Sequence, residues 1–269
     1  MVGKLNRISF SAREAVKQLA CLGNSAKTAD LAMVHAGSEE EMQSDLWEAV
    51  RGGFVVHMGN SYNFVHDRMQ EAAYSLIPES ERTAAHLRIG RSLLSHVSSK
   101  ELEDKIFEIV NQLDRGIELI TSLEERERLA ELNLVAGIRA KASTAYASAL
   151  TYLSVGGGLL AEDSWERRYE LTFALEFHRA ECEFVIGDLA AAEERLTMLS
   201  RRAGHVVDKS AVTCLRLDLY TTLDRSDRAV EVCLEYLRHF GVTWSPHPTE
   251  EEVRLGIRAD VAPARQPPD

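Results

Sequence analysis

Apolar residues recur at helical spacing along most of this chain, and the exceptions mark its organisation. Between Ser11 and Leu22, Ala15, Leu19 and Leu22 fall on one helical face, and Gly23-Asn24 stops the pattern. Leu31 to Ala36 is a short helix candidate after Asp30. Ser38-Glu39-Glu40-Glu41 forms a capping box that leads into Met42, Leu46, Trp47, Ala49 and Val50, and Gly52-Gly53 closes that helix. The pattern then changes. Phe54-Val55-Val56-His57-Met58 and Tyr62-Asn63-Phe64-Val65 read as two strands around a Gly59-Asn60 turn. Three helices followed by a hairpin make a winged-helix arrangement with a small β-hairpin.

After the hairpin, Met69, Ala72, Ala73, Leu76 and Ile77 form one continuous apolar face. Asp67 reads as the N-cap of this helix, Gln70 as its capping-box partner, and Pro78 as its end. From 79 to 245 there is no proline, and Ala, Leu, Glu and Arg favour helix throughout. The pattern predicts helices over 79–97, 102–120, 124–141 and 144–154, the last ended by Gly156-Gly157-Gly158. One helix then runs from Asp163 to Ile186. Gly187-Asp188 turns the chain into 189–203, and 208–222 pairs with 225–240 around Leu223-Asp224. The Pro-rich tail is expected to be disordered from about residue 257.

The later helices look repetitive. Ala149, Ala192 and Ala229 recur at spacings of 43 and 37 residues, and Ala192 is followed by Leu196 and Leu199. A small residue lets two helices approach, and the residues after it fill the groove to the next pair. This is the logic of a helical-repeat solenoid, with an ordinary helical bundle as the alternative. The expected fold class is therefore all-α. The chain divides at 1–78 (the winged-helix-like unit), 79–122 (connecting helices), 123–245 (helical repeats) and 246–269 (the tail).

Composition narrows the function. Of 269 residues, 45% are hydrophobic, enough for a substantial core, and the formal net charge is −11. That balance opposes non-specific binding of the whole chain to nucleic acid or to an anionic membrane. The basic start, Met1 to Arg7, is followed by no long apolar run, so neither a signal peptide nor a membrane span is expected. Cys21, Cys182, Cys214 and Cys233 lie far apart, and the last three fall in helical apolar patterns. Buried thiols in a reducing cytoplasm are the expectation.

Chemistry-bearing motifs are few. Gly23-Asn24-Ser25-Ala26-Lys27-Thr28 ends in Lys-Thr, yet a phosphate loop needs glycine where Ala26 and Cys21 stand. His66-Asp67 sits where a strand turns into a helix. The positive end of a helix favours an anion, and a histidine there could bond a phosphate oxygen. On the residues alone, the favoured reading is that Asp67 only caps the helix and His66 packs on the hairpin. His57, His86, His96, His178, His205 and His239 show no paired metal spacing and read as ordinary helix or loop residues. Glu124-Glu125-Arg126-Glu127-Arg128 reads as a solvated helix face.

Phe64-Val65-His66-Asp67-Arg68-Met69-Gln70-Glu71-Ala72-Ala73-Tyr74-Ser75-Leu76-Ile77 resembles a segment of large bacterial signalling proteins. These join a Ser/Thr-kinase-like domain, a signal-transduction ATPase module, helical repeats and a sensor histidine kinase. The segment resembles the close of the winged-helix part of their ATPase module. Ala20 to Asn24 and His86 to Arg91 resemble helices before and after it. Trp165 to Leu171, Ala180 to Phe184 with Gly187-Asp188, and Trp244 to Thr249 resemble the tetratricopeptide-like region downstream.

The resemblance implies a non-catalytic regulatory and interaction module with no cofactor of its own. ATP or ADP would be bound only in a full-length context. There His66 would contact the nucleotide phosphate and Asp67 would hold the helix start, with the nucleotide-binding core supplied elsewhere. The implied partners are a protein or peptide on the repeat face and the ATPase and kinase domains of a parent or neighbouring protein, all in the cytoplasm. The alternative is a DNA-binding regulator reading through the helix at Glu39–Arg51. Its Glu39, Glu40, Glu41, Asp45 and Glu48 oppose phosphate contact.

Overall fold

The computed structural model describes residues 2–35 and 37–254. The tail expected to be disordered from about 257 lies outside them. Two compact units divide the chain, one ending at Leu175 and the other beginning at Glu176.

The first unit opens with α1 (Val2–Leu5) and α2 (Phe10–Leu22). Ala12, Ala15, Val16, Leu19 and Ala20 of α2 are all buried, the three-and-four spacing of a helix laid on a core. The Ser9 hydroxyl accepts from the Ala12 amide at 3.2 Å to cap α2, and donates to the Glu48 carboxylate at 2.5 Å. Then come β1 (Ser25–Lys27), α3 (Thr28–Val34), α4 (Glu39–Arg51), β2 (Val55–Met58) and β3 (Ser61–Phe64). The expected capping box of α4 is present, with the Glu41 amide 3.2 Å from Ser38 Oγ and the Ser38 amide 2.8 Å from Glu41 Oε2.

The two expected strands are joined by a third. The sheet runs in the order β1-β3-β2, all antiparallel, with Ala26 and His57 both opposite Tyr62. β1 lies inside the Gly23-to-Thr28 segment. With three residues and one buried side chain, Ala26, it has too little alternation to show as a strand. Its pairing continues beyond the strand through bonds from the Phe64 amide to Asn24 O at 2.9 Å and from the Thr28 amide to Asn60 O at 3.0 Å. Tyr62 and Phe64 of β3 alternate into the core, where they join Leu5, Leu19, Leu31, Leu46 and Val55.

The next helix, α5 (Asp67–Tyr74), departs from its expected start. His66 holds the N-cap position, and no side chain caps it. Asp67 is the first helical residue. Gln70 turns away from the cap and donates to Ala20 O at 2.9 Å. After Pro78 come α6 (Glu79–His96) and α7 (Ser99–Arg115), then a 3₁₀ turn at Ile117–Leu119 where a longer helix was expected.

The unit continues with α8 (Leu123–Ala142) and α9 (Tyr146–Leu159). The three glycines at 156–158, expected to stop α9, lie within it. Gly156 is there for packing: a Cβ would stand 2.8 Å from Leu175 Cδ2 and 3.1 Å from Asn133 Cβ. The helix end is held from outside, because Arg126 of α8 donates to Leu159 O at 3.1 Å and to Gly158 O at 3.4 Å. The single helix expected from Asp163 to Ile186 is broken into α10 (Ser164–Arg167) and α11 (Tyr169–Ile186). Arg168 leaves helical geometry between them, and its guanidinium bonds Glu127 at 3.0 Å and also Glu131 of α8.

In the second unit the chain passes through α12 (Leu189–Arg202), α13 (Val206–Thr222) and α14 (Ser226–Arg238). Ala180, Cys182, Ala192, Leu196, Leu199, Val212, Leu219 and Tyr220 are buried within it. A fork ties α11 to α12: Arg195 donates Nε and Nη2 to the two oxygens of Glu183, each at 2.8 Å, and Nη1 to Glu176. All four cysteines are free thiols. Cys21 and Cys182 are buried, but Cys214 is exposed and Cys233 half-buried, so burial of the last two was overestimated. Apolar residues on α13 and α14 set the helix period without all facing inward.

Candidate functional site

One backbone device closes five of the described helices, at Gly53, Thr144, Gly187, Asp224 and Gly241, and at the middle three an alanine follows it at a fixed distance. Thr144, Gly187 and Asp224 have φ of 59°, 89° and 54°, the left-handed region. At each turn the following amide reaches back five residues. Ala145 bonds Ala140 O at 2.9 Å, Asp188 bonds Glu183 O at 2.9 Å, and Arg225 bonds Tyr220 O at 2.8 Å. The left-handed residue itself bonds three back, to Lys141, Phe184 and Thr221. Both bonds together are the Schellman motif, which ends a helix and redirects the chain within one residue. Ala149, Ala192 and Ala229 each stand five residues beyond the left-handed position, so the alanine spacing seen in the sequence is the spacing of this turn. Ala149 and Ala192 are fully buried, and Ala229 is half-buried.

The second feature is a chain of buried polar side chains in the first unit. His86 of α6 and Gln112 of α7 are 2% and 5% exposed. Gln112 Nε2 donates to Cys21 O at 2.8 Å, so its Oε1 is the accepting end. His86 Nδ1 lies 2.7 Å from that oxygen and must carry the proton. Nε2 of a neutral His86 is then an acceptor, and the Tyr74 hydroxyl donates to it at 2.9 Å. Burial holds the His86 pKa below the ordinary value, against the bond to Gln112, which raises it. The chain of bonds joins α5, α6, α7 and the end of α2. It holds four elements in one register.

Beside it lies a cleft of about 450 Å³ whose walls include Lys27, Asp30, Glu108, Asn111, Gln112 and Arg115. Asp30 is buried and ion-paired to Lys105. Burial, and next the charge of Asp30, raise the pKa of Glu108. Cys21 also borders the cleft, but burial pushes its thiol up to about 11, which leaves it protonated and a poor nucleophile.

His66 and Asp67 are exposed at the start of α5 and are not in the cleft wall. Asp67 begins the helix that carries Tyr74, and no side-chain hydrogen bond joins His66 or Asp67 to the His86–Gln112 chain. Sequence reasoning passed over His86 and Gln112 because each is a lone polar residue in a helix. The only hint was position: His86 and Leu93 share one face of α6. Among the described residues, no group of three or more His, Cys, Asp or Glu side chains could hold a metal ion. No described helix is long and apolar enough to cross a membrane.

No protein-family model matches the chain. Over 205 residues it is 32% identical to hybrid signal transduction histidine kinase G of Dictyostelium discoideum. That match covers 67% of this chain but 6% of the kinase, so the chain spans a small part of the curated relative. The relative is a eukaryotic protein, whereas the sequence motifs pointed to bacterial ones. Among solved structures, the chain is similar to a signal transduction ATPase with numerous domains, carrying a tetratricopeptide repeat sensor, from Pyrococcus horikoshii. Identity is 12%, with a TM-score of 0.36 over 96% of this chain and 42% of that one, a level of likeness that carries no argument.

Proposed function

We propose that this chain is a non-catalytic regulatory and protein-interaction module of a histidine-kinase-type signalling protein. The observation that carries the reading is the threefold recurrence of one helix turn with a small residue at a fixed distance after it. Such hairpins are the building block of tetratricopeptide-like arrays, whose exposed helix faces take a protein or peptide. The similarity to a hybrid histidine kinase supports the signalling context.

The N-terminal elements support a winged-helix reading. Their order is helix, strand, two helices, then a hairpin, with the first strand beside the last. In this reading the unit closes an ATPase module. Exposed His66, at the N-cap of α5, contacts the phosphate of ATP or ADP held by a core on another chain or elsewhere in a parent protein. Asp67 then holds the helix start through its charge at the positive helix end. The module works in the cytoplasm, and the parent's ATPase and kinase domains are its partners. DNA binding is the weaker reading, because α4 carries Glu39, Glu40 and Glu41 in its first turn and one basic residue, Arg51, in its last.

Calorimetric titration with ATP and ADP, paired with a phosphate-release assay, tests the non-catalytic half. The expected result is no hydrolysis and no binding tighter than about 1 mM. A dissociation constant of about 1 μM, or any turnover above a heat-treated control, would replace this reading with an enzymatic one.

A further inference from the structure

A second cavity lies within the second unit and has a different character from the cleft of the first. It measures about 180 Å³ and lies among the end of α12, the first turn and middle of α13 and the last half of α14. Arg201, Lys209, Arg216 and His239 line it with one carboxylate, Glu235, and the Tyr236 ring.

What sets these cations apart is that three of them converge on one cavity. Elsewhere in the same unit arginines are answered by glutamates: Arg179 and Arg195 by Glu176, Arg225 by Glu193, and Arg228 by Glu231. Among the described residues, no ion pair engages Arg201, Lys209 or Arg216. The Nε–H of Arg216 is buried and has no hydrogen-bond partner; Arg179 Nε shares that state, but the Arg179 guanidinium is already paired to Glu176, whereas no ion pair engages that of Arg216. A guanidinium donor taken out of water without an acceptor is unfavourable, and native structures avoid it.

Helix dipoles explain only part of the cluster. Arg201 stands in the last turn of α12, where a cation is favoured. Lys209 stands in the first turn of α13, at the positive end, where a cation is disfavoured, and Arg216 lies in the middle of that helix. Neither belongs there for the sake of the helix. An anion between them would answer both, and the orphaned Nε–H as well.

The geometry points to a binding site for a small phosphate monoester in the half-open cavity lined by α12, α13 and α14. Three cations against one carboxylate leave a surplus of two positive charges, matching a phosphate that carries roughly −1.5 to −2 at neutral pH. The planar guanidinium of Arg216 offers the fork that phosphate oxygens accept, and Lys209 supplies a point charge. The cavity is larger than a bare phosphate needs and leaves room for a short organic group beside the Tyr236 ring. The site gives the second unit a small-molecule input.

The test is isothermal calorimetry on the full chain with glycerol 3-phosphate, inorganic phosphate and succinate as separate probes. The expected result is one saturable site for glycerol 3-phosphate, about tenfold weaker for inorganic phosphate and for succinate. Arg216→Gln and Lys209→Gln are each expected to weaken it by about tenfold or more, while Arg228→Gln on the same unit leaves it unchanged. If Arg216→Gln fails to fold by circular dichroism, Lys209→Gln alone decides. No saturation by about 10 mM glycerol 3-phosphate, or equal binding by wild type and the folded variants, would overturn the site. Tighter binding of succinate than of glycerol 3-phosphate would overturn the phosphate assignment.

Discussion

His86 Nδ1 lies 2.7 Å from Gln112 Oε1, the central bond of the buried chain that joins α2, α5, α6 and α7. Replacing Gln112 by Leu leaves two buried groups, the His86 N–H and the Cys21 carbonyl, with no partner. Each orphan costs about 1–3 kcal/mol, so Gln112→Leu is expected to destabilise the chain by about 2–6 kcal/mol. Urea unfolding at pH 7 measures it, and a loss below about 1 kcal/mol would show that the chain of bonds contributes little.

The same bond sets a pH response. Burial depresses the His86 pKa below that of the unfolded chain, about 6.5. Below that pH the unfolded chain takes up a proton that the folded chain resists. The stability contributed by neutral His86 is therefore fully present above about pH 6.5 and falls as the pH drops through it. His86→Gln is expected to lose this slope between pH 7 and 5.5.

Asp114 acts in the opposite sense. Burial pushes its carboxyl up to about 6, against the amide of Asn133, which donates to it at 2.9 Å. Its folded pKa stands above the unfolded value of about 3.9, so its contribution is best at low pH and is lost as the pH rises through 6. Asn133 Oδ1 is meanwhile buried without a donor. Asp114→Asn removes the buried charge and offers that oxygen an N–H. A gain of about 1–2 kcal/mol is expected at pH 7, shrinking as the pH falls toward 4. Unfolding curves at pH 7 and pH 4.5 compare the two variants, and a loss at pH 7 would count against the buried-charge reading.

Two glycines of α9 separate packing from propensity. A Cβ at Gly156 would press on Leu175 and Asn133, whereas a Cβ at Gly158 meets nothing within 4 Å. Gly158→Ala is expected to stabilise by about 0.5 kcal/mol, because alanine is the better helix former. Gly156→Ala is expected to destabilise by about 1 kcal/mol or more through overpacking. Melting temperatures that move in the same direction for both would contradict this assignment.

Thr144 is a β-branched residue held at φ 59°, where Gly187 occupies the matching turn at φ 89°. Thr144→Gly is expected to stabilise by about 1 kcal/mol and Gly187→Ala to destabilise by a similar amount. Chemical denaturation of the two variants reads both signs.

Legibility followed the length of the local signal. The α4 capping box and the Gly187-Asp188 turn were readable because each is a short motif with one physical meaning. So was the alanine spacing, which the left-handed turns now explain. β1 was hidden because a three-residue strand takes its identity from its partner, Asn63 to Ser61, and not from its own alternation. The glycines at 156–158 misled because a glycine ends a helix in one context and admits a neighbour in another. Only the position of Leu175 separates the two. Gln70 was misread in the same way: its amide reaches Ala20 O, fifty residues away, instead of its own cap. His66 and Asp67 were correctly placed at a strand-to-helix junction, but their proposed role depends on a nucleotide that another domain would hold.

The regulatory role is tested most directly in a chimera. The segment of the Dictyostelium histidine kinase that is similar to this chain over 205 residues is replaced by this chain's own residues, and histidine autophosphorylation is measured. The chimera is expected to autophosphorylate, and Ala149→Trp with Ala192→Trp, which wedge two helix hairpins apart, is expected to change the rate by about fivefold or more. An unchanged rate in a folded double variant would contradict a regulatory role for the helical array.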